Sequence, residues 1–163
     1  AKNRAPGLER SFDAQKWAFL PQNAWLDAAE EAMDKEFHGK YDIWGGDIDP
    51  RAVDIARSNA AKAGVEDCVR FEVADMKDFR RDSPYGQLVT NPPYGERLMD
   101  RAEAEALYRE LGRVWQRLPD GWRTLVLSSH TEFERTFGRP ADKKRKIYNG
   151  MLKCDLFMYG KTC

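Results

Sequence analysis

Between residues 24 and 128, apolar runs of strand length alternate with amphipathic stretches of helical spacing, and this alternation restricts the fold more than any other feature. Trp25, Ala28, Ala29, Ala32 and Met33 recur at helical spacing, predicting a helix from Ala24 to about Phe37. YDIWGGDIDP (41–50) reads as a short strand running into glycines and acids, with Asp49 capping a helix whose first residue is Pro50. Val53, Ala56, Ala60 and Ala63 line one face of that helix and Gly64 ends it. Further strands are expected at 69–74, 87–90 and 124–128. Before the last of these comes a helix with Leu107, Tyr108, Leu111, Val114, Trp115 and Leu118 on one face, closed by the turn Pro119-Asp120-Gly121. The tail departs from this rhythm: Asn149-Gly150 sits between two strand-like runs within 144–160, the pattern of a two-residue hairpin turn. The expected fold is therefore α/β, a mostly parallel sheet wound on both faces and finished by a C-terminal antiparallel hairpin.

At 163 residues and 42% hydrophobic content the chain can bury one sizeable core, so residues 1–163 are expected to form a single domain. The 27 basic and 27 acidic residues cancel, so any attraction to nucleic acid must come from a local patch. One such cluster is Arg139 with Lys143, Lys144, Arg145 and Lys146, readable as a contact for RNA phosphates or as a charged edge that discourages sheet pairing. The cysteines, Cys68, Cys154 and Cys163, are odd in number and scattered, so they read as reduced thiols and no metal site is expected. No run has the length of a signal-peptide core or a membrane span, which predicts a cytoplasmic protein without a membrane partner.

In an open parallel sheet, ligands sit beyond the carboxyl ends of the strands, and polar residues stand at three of the expected ends. Gly45-Gly46-Asp47-Ile48-Asp49 offers an acid able to accept from ribose hydroxyls, although such an acid can equally cap a helix. Asp75-Met76 pairs an acceptor for an exocyclic amine with a thioether able to lie on a purine. The third, Asn91-Pro92-Pro93-Tyr94, is specific. Its prolines donate no backbone hydrogen bond and restrict the chain, so the Asn91 amide oxygen and the Pro92 carbonyl can be fixed as two neutral acceptors converging on an NH2 group. Tyr94 adds a plane on which a flat substrate can stack. Accepting the hydrogens of a conjugated amine draws electron density onto nitrogen as it attacks, so no strong base is required.

Asn-Pro-Pro-Tyr resembles the (N/D)PP(Y/F/W) signature of class I S-adenosylmethionine-dependent amino-methyltransferases. With NRAPG (3–7), GGDIDPRAVDIARSNAAKAG (45–64), NPPYGERL (91–98) and IYNGMLKCDLFMY (147–159), the chain is similar to the catalytic domain of the THUMP-associated large-subunit ribosomal RNA guanine-N2 methyltransferases. Members of this family are often labelled N6-adenine-specific DNA methylases. The resemblance implies a Rossmann-like sheet, S-adenosylmethionine as cofactor, and methyl transfer to N2 of a guanine in 23S-type ribosomal RNA. It makes Asp47 the ribose acid, with Ile48 against the adenine. Asp75 would accept the adenine amine beside Met76, Asn91 and Pro92 would hold the target amine, and Pro93 and Tyr94 would meet the target base. Lys143, Lys144, Arg145 and Lys146 would face RNA, and an upstream THUMP-type RNA-binding domain is implied in the parent protein.

The family's first strand and its glycine-rich cofactor loop, a DPxCGSGT-like segment, have no counterpart here. The expectation is a piece of a longer protein that lacks the central strand, leaves sheet edges unpaired and is inactive by itself. The clamp reads an amine and not a ring, so a DNA adenine-N6 or a protein glutamine methyltransferase fits it as well. A non-catalytic RNA-binding module that retained the fold is the alternative of a different class.

Overall fold

The computed structural model describes residues 2–21, 23–94 and 100–160. These fall into two compact units, divided between Val73 and Ala74.

In the first unit, α1 (Ala24–Asp34) is followed by β1 (Ile43–Asp47), α2 (Pro50–Lys62) and β2 (Val69–Val73). β1 and β2 pair in parallel from Ile43↔Val69 to Asp47↔Val73. Asp49 caps α2 by accepting the Arg51 backbone N–H at 2.9 Å, and Pro50 occupies the first turn. Val53 and Ala60 supply its buried face. Gly45 has a structural reason to be glycine: a Cβ there would lie 2.7 Å from the ring of Phe71, its partner across the ladder. The lead-in before α1 is tied down by Arg4, which bridges Glu9 at 2.7 Å and Glu36 at 2.8 Å. α1 has the expected apolar stripe but buries none of its residues; Trp25 instead stacks on Phe12 with ring centroids 5.6 Å apart.

The second unit holds β3 (Gly86–Thr90), α3 (Arg101–Arg117), β4 (Trp122–Ser128), α4 (Phe133–Phe137), β5 (Lys143–Asn149) and β6 (Leu152–Gly160). Its sheet has the order β3-β4-β6-β5, with β3 parallel to β4 and both hairpin strands in antiparallel pairs. α3 starts at a capping box in which Asp100 accepts from the Glu103 N–H while Glu103 accepts from the Asp100 N–H. Ala104, Tyr108 and Leu111, at helical spacing, pack with Phe133 and Phe137 of α4 onto Val126, Phe157 and Tyr159 of the sheet.

One detail, the hairpin loop, departs from the sequence reading. Asn149 pairs with Leu152, so the hairpin loop is Gly150-Met151, with Gly150 at φ 62° in the first loop position, where a two-residue turn favours glycine. The strands fall into separate sheets of two and four, and neither β1 nor β3 has a second ladder partner among the described residues. Each therefore presents an unpaired edge, as expected.

Among the described residues no helix is long and apolar enough to cross a membrane, and no group of three or more His, Cys, Asp or Glu side chains could hold a metal ion.

Candidate functional site

β3 and β4 run parallel and in register, Thr90 beside Val126, so Asn91-Pro92-Pro93-Tyr94 leaves the sheet at the carboxyl end of both strands. Asn91 is exposed, Pro92 is buried, and Pro93 and Tyr94 are half-buried. The Tyr94 hydroxyl donates to Oδ1 of Asn91, which fixes the amide rotamer. An amide oxygen has two lone pairs, so Oδ1 keeps one for a further N–H. No described residue donates to the Pro92 carbonyl, the second acceptor foreseen for the clamp. The carbonyl of Pro93 instead accepts the Tyr108 hydroxyl at 2.7 Å.

The hairpin forms one side of this region. β5 and β4 point the same way, since both are antiparallel to β6. Ser128, the last residue of β4, sits opposite Asp155, and the pairs Ile147–Cys154, Tyr148–Lys153 and Asn149–Leu152 continue past it. At the usual strand rise this carries the hairpin about 10 Å beyond the end of β4. Its Asn149 and Cys154 side chains neighbour the Tyr94 hydroxyl, and burial is the main cause pushing that phenol above its ordinary pKa.

Next to Asn91–Tyr94 lies a buried polar chain that the sequence reading missed. Tyr108 is fully buried, with Ser128 Oγ 3.5 Å from its hydroxyl. Ser128 Oγ accepts the His130 backbone N–H at 3.1 Å, and His130 Nδ1 accepts the Glu132 N–H at 3.1 Å. Accepting at Nδ1 puts the ring hydrogen of neutral His130 on Nε2, which lies 3.6 Å from Glu105 Oε1, too far for a hydrogen bond. The signal was available in Tyr108 itself: a phenol on the apolar face of a helix needs a polar partner once buried.

The residues expected to meet a cofactor are divided between the units. In the first, Asp47 ends β1; its Oδ1 accepts the Asp49 N–H at 2.9 Å and its other oxygen bonds to no described residue. Asp49, by contrast, is committed to its cap and to Arg51, which holds its carboxyl below the usual range. Next to Asp47 the apolar side chain of Ile48 is 69% exposed. A free carboxylate oxygen beside an exposed aliphatic group fits a ribose and the purine attached to it. In the second unit, Asp75 caps the turn Met76–Asp78 by accepting the Lys77 N–H at 3.0 Å, and pairs with Lys77 Nζ at 2.9 Å, which holds its carboxyl low. Both oxygens are engaged, each with a lone pair remaining. Met76 packs against the core.

The basic cluster is divided by its partners. Lys144 pairs with Glu134 at 2.7 Å, and Arg139 pairs with Asp142 at 2.6 Å while lying 4.6 Å from the Trp115 ring centroid. Lys143, Arg145 and Lys146 are exposed and have no ion-pair partner among the described residues. The GERL continuation of the clamp, residues 95–98, and Cys163 lie outside the described residues.

A family model described as RMKL-like, methyltransferase domain, matches residues 1–157. YpsC of Bacillus subtilis, named as a candidate RNA methyltransferase, is 38% identical over 159 residues, 97% of this chain and 41% of that protein. Ribosomal RNA large subunit methyltransferase K/L of Shewanella baltica is 37% identical over 164 residues, 98% of this chain and 23% of that protein. The crystal structure of SMU.472, a candidate methyltransferase complexed with SAH, superposes with a TM-score of 0.94 at 39% identity, covering 99% of this chain and 43% of that one. The chain thus spans less than half the length of each of these relatives.

Proposed function

The chain belongs to the RMKL-like methyltransferase-domain family, and on that premise we propose that it carries the amine-binding part of an S-adenosylmethionine-dependent RNA methyltransferase. The observation that carries the reading is the state of Asn91-Pro92-Pro93-Tyr94. One acceptor is fixed in orientation by the Tyr94 hydroxyl, the other is free of described donors, and both stand at the carboxyl end of parallel strands. S-adenosylmethionine, when bound, supplies a methyl carbon made electrophilic by the adjacent sulfonium charge. Asp47 and Ile48 would hold its ribose and adenine, and Asp75 would accept from the adenine amine with the lone pairs that Lys77 leaves. Met76 would pack nearby.

The work of the chain is then placement. Asn91 Oδ1 and the Pro92 carbonyl accept the two hydrogens of the target amine, which holds its nitrogen in place and draws electron density onto it as it attacks; once methylated, that nitrogen would shed one of the two protons to water beside exposed Asn91. Pro93 and Tyr94 meet the base, and Tyr94 does so with its hydroxyl already engaged on Asn91. The target is the N2 amine of a guanine in 23S-type ribosomal RNA, a reading supported by the large-subunit methyltransferase name of the Shewanella relative. Lys143, Arg145 and Lys146 contact RNA phosphates, with Lys144 held back by Glu134. Both units belong to one catalytic domain, working in the cytoplasm beside an upstream THUMP-type domain of the same polypeptide.

The test is the full-length protein with labelled S-adenosylmethionine and unmodified ribosomal RNA and DNA in competition, read by nucleoside mass spectrometry. The expected product is N2-methylguanosine, reduced about 100-fold or more by Asn91→Ala. N6-methyladenine would overturn the substrate but keep the clamp. Product on neither nucleic acid would refute the reading in favour of a glutamine substrate or a non-catalytic module.

A further inference from the structure

The two prolines that make the clamp rigid also deprive it of handles. Positions 92 and 93 have no N–H, so this stretch can be anchored only through its carbonyls or its side chains. Among the described residues, one side chain outside the loop donates to a loop carbonyl: Tyr108, to Pro93, at 2.7 Å. That carbonyl belongs to the same peptide unit as the Tyr94 N–H, so holding it fixes the plane from which the Tyr94 side chain, and through it Asn91 Oδ1, is presented.

We propose that Tyr108 is a positioning residue of the amine clamp, with Ser128 as the group that sets the direction of its hydroxyl. The inference rests on reading Asn91–Tyr94 as an amine clamp. The donor order follows from the neighbours. The His130 N–H is given to Ser128 Oγ, so the Ser128 hydrogen is free to point at the Tyr108 oxygen, and the Tyr108 hydrogen is left to Pro93. The chain runs His130 N–H to Ser128 to Tyr108 to Pro93 and has no exposed member that water could replace easily, since Tyr108, Ser128 and His130 are all buried. The ring of Tyr108 is itself set between His130 and Phe133, with edge-on centroid distances of 5.5 and 4.9 Å. The phenol therefore cannot swing away from Pro93 without disturbing α4.

Tyr108→Phe in the full-length protein removes the donor and keeps the ring. Two readings are taken. The backbone 15N resonance of Tyr94, whose nitrogen shares a peptide unit with the Pro93 carbonyl, should shift when that carbonyl loses its donor. The kcat for methyl transfer should fall about 10- to 100-fold with the KM for S-adenosylmethionine unchanged, because nitrogen placement is impaired and cofactor binding is not. Ser128→Ala should move both readings in the same direction by less. Tyr159→Phe, which removes a buried phenol of the same core that has no described partner, should move neither. An unshifted Tyr94 resonance in Tyr108→Phe overturns the inference whatever the substrate is, and so does a shifted resonance at full kcat. A wild-type protein that methylates no nucleic acid would refute the proposed function instead, and the Tyr94 resonance would still decide whether Tyr108 holds the loop.

Discussion

Gly112→Ala tests the close approach of α3 to α4, on which the placement of Tyr108 depends. Gly112 is buried in the middle of α3, where glycine is intrinsically worse than alanine by about 1 kcal/mol. On propensity alone the substitution should stabilise the protein. A Cβ on Gly112 would, however, lie 2.1 Å from the Phe137 carbonyl oxygen and 3.1 Å from its carbonyl carbon, and these are backbone atoms that cannot rotate away. A carbon–oxygen contact relaxes at about 3.3 Å, so α4 would have to retreat by roughly 1.2 Å. Overpacking of this kind costs about 1–3 kcal/mol in a core, more when backbone must move. The steric cost should exceed the propensity gain, giving a net loss of about 1–2 kcal/mol and a fall in Tm of roughly 2–8 °C. The displacement also reaches the site: Phe133, one turn before Phe137 on α4, is packed edge-on to Tyr108. Thermal unfolding of the full-length protein, followed through the transition of the domain carrying this chain, measures the loss, with exposed Ala106→Gly on the same helix calibrating the propensity contribution. A Gly112→Ala protein as stable as the wild type, or more so, would refute the argument, since the Cβ would then have found room that the α3–α4 contact denies it.

Two further outcomes follow from partners found or lacking. Replacing Lys143, Arg145 and Lys146 together by glutamine should flatten the dependence of RNA affinity on salt by about 0.7 in the log–log slope per lost phosphate contact, whereas Lys144→Gln alone, already paired with Glu134, should leave the slope unchanged; filter binding across a salt series measures both, and equal slopes for all proteins would reduce the strand to a solvated edge. Thr124 Oγ1 is buried without a described partner, so the near-isosteric Thr124→Val should raise stability by about 1 kcal/mol in a denaturant titration, and a loss of that size would show that the hydroxyl is satisfied after all.

What could be read in the sequence was what nearby residues decide. Asp49, Pro50 and Gly64 bound α2 because caps and breakers act within a turn of where they stand, and Asn91 to Tyr94 announced a rigid end to β3 for the same reason. α3 shows the limit of that reading: its apolar face was visible from Leu107 onward, but its start at Arg101 is fixed by the Asp100–Glu103 capping box. The Tyr108–Pro93 bond joins residues 15 apart through tertiary packing, and no local pattern encodes it. The hairpin shows how much one position matters. A loop at Asn149-Gly150 would set Lys144 opposite Asp155 and present the basic run as one cross-strand charge pair with its neighbours free. With the loop at Gly150-Met151, Lys146 stands opposite Asp155 and Lys144 opposite Phe157, so Lys144 crosses that ring at 5.9 Å and ends on Glu134 of α4. Which lysine is left without an ion-pair partner and which is spent on the fold is therefore decided by whether glycine takes the first or the second place in the turn, a choice made by backbone twist that the residue types alone leave open.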